Sequence, residues 1–170
     1  TAPGATLVEV CLIEDEAQTL TIVIRDNGRG MSPDFLAAVS DPFTTTRTTR
    51  KVGMGIPLYR LTAEQTGGGL TLESTQGMGT TVTAVFHREH LDCPPLGDLP
   101  GVMAMLIQGS PKADFLFTHT LPTGSYTLDT REMRELLGGD VPLDAPEVFL
   151  WLTEYLKEQE SNIKASHGTL

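Results

Sequence analysis

Asp26-Asn27-Gly28-Arg29-Gly30-Met31 follows directly on the apolar run Leu20-Thr21-Ile22-Val23-Ile24, and the reading of this junction decides the fold. The run alternates as a strand, whereas the six residues after it are too rich in glycine for helix or strand. A carboxylate at a strand end beside two glycines can accept a hydrogen bond from an exocyclic amine while the bare backbone lets a flat ring approach. Taken alone, Asp-Asn-Gly is most often only a turn. Two further glycine clusters follow in order within about 55 residues: Gly53-Met54-Gly55 at the mouth of a helix, and Gly77-Met78-Gly79-Thr80 opening a strand. Amides exposed at a helix N-terminus, with the helix dipole behind them, form a phosphate site.

Working outward, Thr6–Ile13 alternates and pairs with the Leu20 run as a hairpin across Glu14-Asp15-Glu16. Ser32-Pro33 starts a short helix through Phe35, Leu36 and Val39, with serine at the N-cap and proline at the first helical position. Residues 41–55 show no periodicity, and a loop of that length is usually functional or disordered. It holds five threonines with Arg47, Arg50 and Lys51, three of the twelve bases in five positions of an otherwise acidic chain. A helix from about Ile56 to Thr66 ends at Gly67-Gly68-Gly69, and Leu70–Ser74 and Thr80–Phe86 read as strands. Beyond Phe86, Cys93–Asp98 reads as a connector and Val102–Gln108 as a helix. A second hairpin, Phe115–His119 with Ser125–Asp129, precedes helices over Arg131–Leu137 and Pro146–Gln159. Val148, Leu152, Tyr155 and Leu156 share one face of the last helix. The aromatic residues Phe115, Phe117, Tyr126, Phe149 and Trp151 read as core. The expected division is 1–86, an α/β extension over 87–160, and a polar tail over 161–170.

The formal net charge of −10 argues against nucleic acid or an anionic membrane as partner. The second half is the more acidic, with thirteen acids and six bases over 87–170 against nine and six over 1–86, so a basic protein partner is expected there. No apolar run approaches a membrane span, and Cys11 and Cys93 form no CxxC, which together point to a cytoplasmic location. His87, His90, Asp92 and Cys93 have metal-ligand chemistry but irregular spacing, and ordinary connector residues are the expectation.

The successive boxes Asp26–Met31, Asp41-Pro42-Phe43-Thr44-Thr45-Thr46, Gly53-Met54-Gly55-Ile56-Pro57-Leu58 and Gly77–Thr81 resemble those of the GHKL superfamily of gyrase, heat-shock chaperone, histidine kinase and mismatch-repair ATPases. The resemblance covers about residues 5–86, and the short lid between Phe43 and Gly53 is most similar to histidine kinases and anti-sigma serine kinases. It implies an α+β fold, a two-layer α/β sandwich of the Bergerat type with a C-terminal α/β extension. It implies that Asp26 accepts the adenine amino hydrogen, that Gly28 and Gly30 permit ring approach, and that Thr80 adds a contact. Gly53 and Gly55 would offer amides to the phosphates, Thr46, Arg47, Arg50 and Lys51 would form the lid, and Met31 and Ile56 would wall the ring. ATP or ADP with Mg²⁺ is the implied ligand.

The family places a helix with a general base and a Mg²⁺-ligating Asn before the first strand, and residues 1–10 offer no match. The expectation is therefore a nucleotide-binding module without catalytic or metal-binding residues of its own, an ATPase or kinase-like protein when complete and possible as a dimer. The alternative is an inactive interaction module that retains the fold. The second half adds a similarity to small bacterial ATP-binding proteins found beside iron-only hydrogenase genes.

Overall fold

The computed structural model describes residues 5–40, 63–88, 98–139 and 141–165, without the side chains of 38–40 and 165. Its elements in chain order are β1 (Leu7–Glu14), β2 (Thr19–Asp26), α1 (Pro33–Ser40), β3 (Gly69–Thr75), β4 (Gly79–His87), α2 (Leu99–Gly109), β5 (Asp114–Leu121), β6 (Gly124–Asp129), α3 (Thr130–Leu136) and α4 (Pro146–Ala165). Residues 63–65 are also helical. The fold is α+β, and its six strands form one mixed sheet in the order β3-β4-β2-β1-β5-β6. All pairings are antiparallel except β1 with β5, which run parallel.

The period of two in the strands explains the two faces. Val8, Val10 and Leu12 of β1 are buried and stand opposite Phe115, Phe117 and His119 of β5. Leu20 of β2 meets Phe86 of β4, and Ala84 meets Leu70 of β3. These residues form one apolar face, on which the helices pack. The alternate positions, among them Glu9, Cys11, Arg25, Thr81 and Thr118, are half-buried or exposed and make the uncovered face. The hairpin β5–β6 thus extends the sheet begun by residues 7–26.

Local signals account for the helix starts. The Ser32 hydroxyl accepts the Phe35 amide at 3.3 Å ahead of Pro33. Asp98 caps α2 by accepting the Gly101 amide at 3.2 Å, and Asp129 caps α3 by accepting the Arg131 amide at 2.9 Å. The side-chain hydrogen bond from Arg131, first among the causes, holds the Asp129 carboxyl below the usual carboxylate range.

Two expectations need correction. The last helix does not end at Gln159 but continues to Ala165, through the first five residues of the expected polar tail. Its buried stripe runs Val148, Leu152, Leu156, Glu160, Ile163. The polar run Glu158–Asn162 looked like an end because the partner of Glu160 is distant in sequence: Nδ1 of His119 on β5 lies 2.7 and 3.0 Å from its two oxygens. Trp151 is not core. It is 50% exposed, beside Leu150 and away from the Val148–Leu152–Leu156 stripe, and it stacks on Tyr155 with centroids 5.1 Å apart and planes 10° from parallel. Phe115, Phe117 and Tyr126 are buried as expected.

Candidate nucleotide site

Three strands bring the site together. Asp26 closes β2 and stands opposite Thr80 of β4, and Thr80 stands opposite Ser74 of β3. Strand alternation puts all three on the side of Leu20 and Ile22, the side that carries the helices. The half-buried Asp26 carboxylate accepts the Gly28 amide through Oδ1 at 2.9 Å, which fixes its orientation and leaves Oδ2 with no partner among the described residues. Ser74 Oγ donates to the Gly79 carbonyl at 3.0 Å, accepts the Met31 amide at 2.8 Å and lies 2.9 Å from Thr80 Oγ1. With the Ser74 proton engaged by a carbonyl, Thr80 donates to Ser74 and keeps its own lone pairs available.

The loop after Asp26 is pinned at several points. Asn27 accepts the amides of Thr6 and Leu7 through Oδ1, at 2.8 and 3.0 Å, and donates to Thr6 Oγ1 at 2.8 Å. The Gly77 amide donates to the Arg29 carbonyl at 2.6 Å, tying the loop to the β3–β4 turn. Two glycines are required by this approach. Gly30, at φ 70°, would place a Cβ 2.1 Å from the Thr75 carbonyl oxygen, and Gly79, at φ 120°, would place one 2.0 Å from that of Asp26.

Of the twelve residues expected from the sequence, Asp26, Gly28, Gly30, Met31 and Thr80 meet around this junction. Thr46, Arg47, Arg50, Lys51, Gly53, Gly55 and Ile56 lie outside the described residues. Ser74 was missed as part of the site, and Asn27 and Gly79 stood within the glycine boxes without a role of their own. The hairpin register counted back from Gly79-Thr80 carries the signal for Ser74, whereas nothing local signals the hold of Asn27 on residues 6 and 7. A cleft of about 310 Å³ opens at the same end of the sheet, where Asp26, Ser74 and Thr80 line it together with Glu9, Arg25, Glu73 and Thr81 of the uncovered face.

His87 closes β4 with Nδ1 3.3 Å from Thr19 Oγ1, and His90, Asp92 and Cys93 lie outside the described residues. Among the described residues no group of three His, Cys, Asp or Glu is placed to hold a metal ion. Nor is any helix among them long and apolar enough to cross a membrane.

The chain is similar to bacterial sensor proteins. The C4-dicarboxylate transport sensor protein DctB of Pseudomonas aeruginosa is 38% identical over 87 residues, 51% of this chain and 13% of that protein. The sensor kinase CckA of Brucella abortus is 25% identical over 158 residues, 79% of this chain and 17% of that protein. The chain thus spans well under a fifth of the length of either relative. The histidine kinase domain from the Erythrobacter litoralis EL346 blue-light activated histidine kinase covers 50% of this chain and 34% of its own at 20% identity, with a TM-score of 0.36. Residues 1–90, more than half of the 170, match the family of histidine kinase-, DNA gyrase B-, and HSP90-like ATPases, and the chain belongs to that family.

Proposed function

We propose that this chain is the ATP- or ADP-binding module of a histidine-kinase-like regulatory ATPase or kinase. The observation that carries the reading is the Asp26 carboxylate, oriented by the Gly28 amide, with one oxygen that has no partner among the described residues, opposite Thr80 in the sheet. A 6-amino group needs such an acceptor, so the residues present fit an adenine. In this proposal Met31 and Ile56 flank the ring, and the Gly53 and Gly55 amides meet the phosphates. Thr46, Arg47, Arg50 and Lys51 close as a lid over anionic charge. Mg²⁺ would accompany the phosphates and neutralise part of their charge, and none of these residues is assigned as its ligand. A cytoplasmic setting and a signalling role, suggested by the names of the sensor relatives, belong to the same proposal, as does the expected division at residue 86.

Calorimetric titration of ADP and ATP with Mg²⁺ tests it. Asp26→Asn keeps the shape but turns the free acceptor into an amide, and a lost charge-assisted hydrogen bond of about 1.5–3 kcal/mol predicts roughly tenfold to a hundredfold weaker binding. Unchanged affinity in a folded variant removes the adenine assignment. Absence of nucleotide binding in the unaltered chain favours the interaction-module reading, for which the exposed apolar residues of the last two helices speak.

A further inference from the structure

Where α3 gives way to α4, at the β6 edge of the sheet, the described residues leave an apolar groove of about 470 Å³ uncovered. Met133 and Val148 are its buried floor, and Leu136, Val141 and Trp151 are its walls. Leu136 is 84% exposed, a large apolar cost for a side chain on a short helix. Trp151 stands ready as a flat, stiff platform, because its stack on Tyr155 restricts its rotamers.

The charge around the groove has one sign. Glu147 sits on the rim, and helical spacing aligns Glu147, Trp151 and Glu154 along one stripe of α4 and Glu132 with Leu136 on α3. Glu135 and Asp144 add two more exposed acids. The two bases nearby are engaged, Arg131 with Asp129 at 2.8 Å and Arg134 with Asp114 at 2.8 Å. A second copy of this chain would bring the same acids and a formal charge of −10 to the contact, which disfavours it as occupant.

We propose that the groove between α3 and α4 docks a basic amphipathic helix of a partner protein. Apolar side chains at i, i+3 or i+4, and i+7 of that helix enter between Leu136 and Trp151, and Lys or Arg on its flanks meet Glu132, Glu147 and Glu154. This stands independently of whether Asp26 binds a nucleotide.

Trp151 is the only tryptophan of the chain, so its emission reports the groove alone. The probe is a synthetic peptide of about 18 residues, five helical turns, with Leu at those spacings and Lys on the flanks. A version with Glu for Lys and a scrambled version of the lysine peptide serve as comparisons. The lysine peptide is expected to shift Trp151 emission to the blue, protect it from acrylamide saturably, and bind more weakly as salt rises. Leu136→Glu, at a position already in water, is expected to weaken binding at least about tenfold with the circular dichroism and melting midpoint unchanged. Equal binding of the glutamate or scrambled peptide, or no effect of Leu136→Glu, overturns the proposal. Concentration-dependent burial of Trp151 in the chain alone, with a doubled mass, overturns it in favour of a second copy.

Discussion

At the residue scale, Gly79 is the tightest point of the site. A methyl there would sit 2.0 Å from the Asp26 carbonyl oxygen, backbone against backbone, in a φ of 120° that an L-residue rarely adopts. Gly79→Ala must therefore part β2 from β4 where Asp26 and Thr80 meet. It is expected to cost about 1–3 kcal/mol of stability and to weaken ADP binding together with it. Gly77→Ala, whose Cβ would meet nothing within 4 Å, separates the two effects: it carries the strain of a positive φ without the clash. Thermal melts and calorimetry of both variants check this, and equal behaviour of the two would remove the close-approach argument. Tyr126 offers a second test. Its hydroxyl is buried with no hydrogen-bond partner placed among the described residues, and burial, aided by the nearby Glu160 carboxylate, pushes the phenol far above its ordinary value. A raised folded value means that the contribution is complete below the unfolded value near 10 and lost as pH rises beyond it. Tyr126→Phe is expected to be close to neutral at pH 7 and to flatten the alkaline fall in stability measured by denaturant titration from pH 9 to 11.

At the scale of the element, α4 is held by a contact between groups that composition alone would leave in water. Glu160 meets His119 Nδ1 at 2.7 Å, His119 Nε2 faces Glu14 Oε2 at 3.6 Å, and Glu14 is paired with Arg88. Two carboxylates, an imidazole and a guanidinium thus join α4, β5, β1 and the end of β4. Removing one member of such a buried set leaves the others without compensation, at about 3–5 kcal/mol. Glu160→Ala is expected to lower stability by that order, and Glu160→Gln, which still accepts from Nδ1, by clearly less; equal losses would show that shape alone matters. The capping carboxylate of α3 adds a pH effect of the opposite sign to that of Tyr126. Its folded value is depressed, so its contribution is present above the ordinary carboxylate range and lost as pH falls through it. Asp129→Asn is expected to reduce the acid sensitivity of the melting midpoint, modestly because the group is close to solvent.

The same elements show what the sequence could and could not say. All six strands were legible because each alternates or follows a glycine turn, and the Asp26–Met31 junction pointed to both the sheet and the family. The end of α4 was not, since Glu160 and Ile163 are explained only by His119 and by Thr123, whose hydroxyl donates to the Ile163 carbonyl. Trp151 misled for a related reason. An aromatic on an amphipathic helix reads as core, and only the exact azimuth of Val148, Leu152 and Leu156 turns it outward.

At the scale of the molecule, the parallel pairing of β1 with β5 makes the two halves of the chain neighbours in one sheet. Seven registered pairs, Leu7 with Asp114 through Ile13 with Thr120, join them, and Thr6 also accepts the Asp114 amide at 2.8 Å. Val8, Val10 and Leu12 lie in the same apolar layer as Phe115 and Phe117, so parting the halves would expose that layer and a parallel edge together. Unfolding is therefore expected to be one transition, and a ligand bound beside Asp26 should stabilise residues it never touches. Binding at about a hundred times Kd adds about 2.7 kcal/mol. For a chain of this length that raises the midpoint by roughly 5–10 °C. Trp151 lies on α4, beyond β6, and reports the far half, while far-ultraviolet circular dichroism reports the whole. Equal shifts of both midpoints on adding ADP and Mg²⁺ are expected from one cooperative sheet. A shift in the dichroism with an unmoved Trp151 transition would mean that the β1–β5 pairing does not couple the halves, and that residues 87–165 melt as a unit of their own.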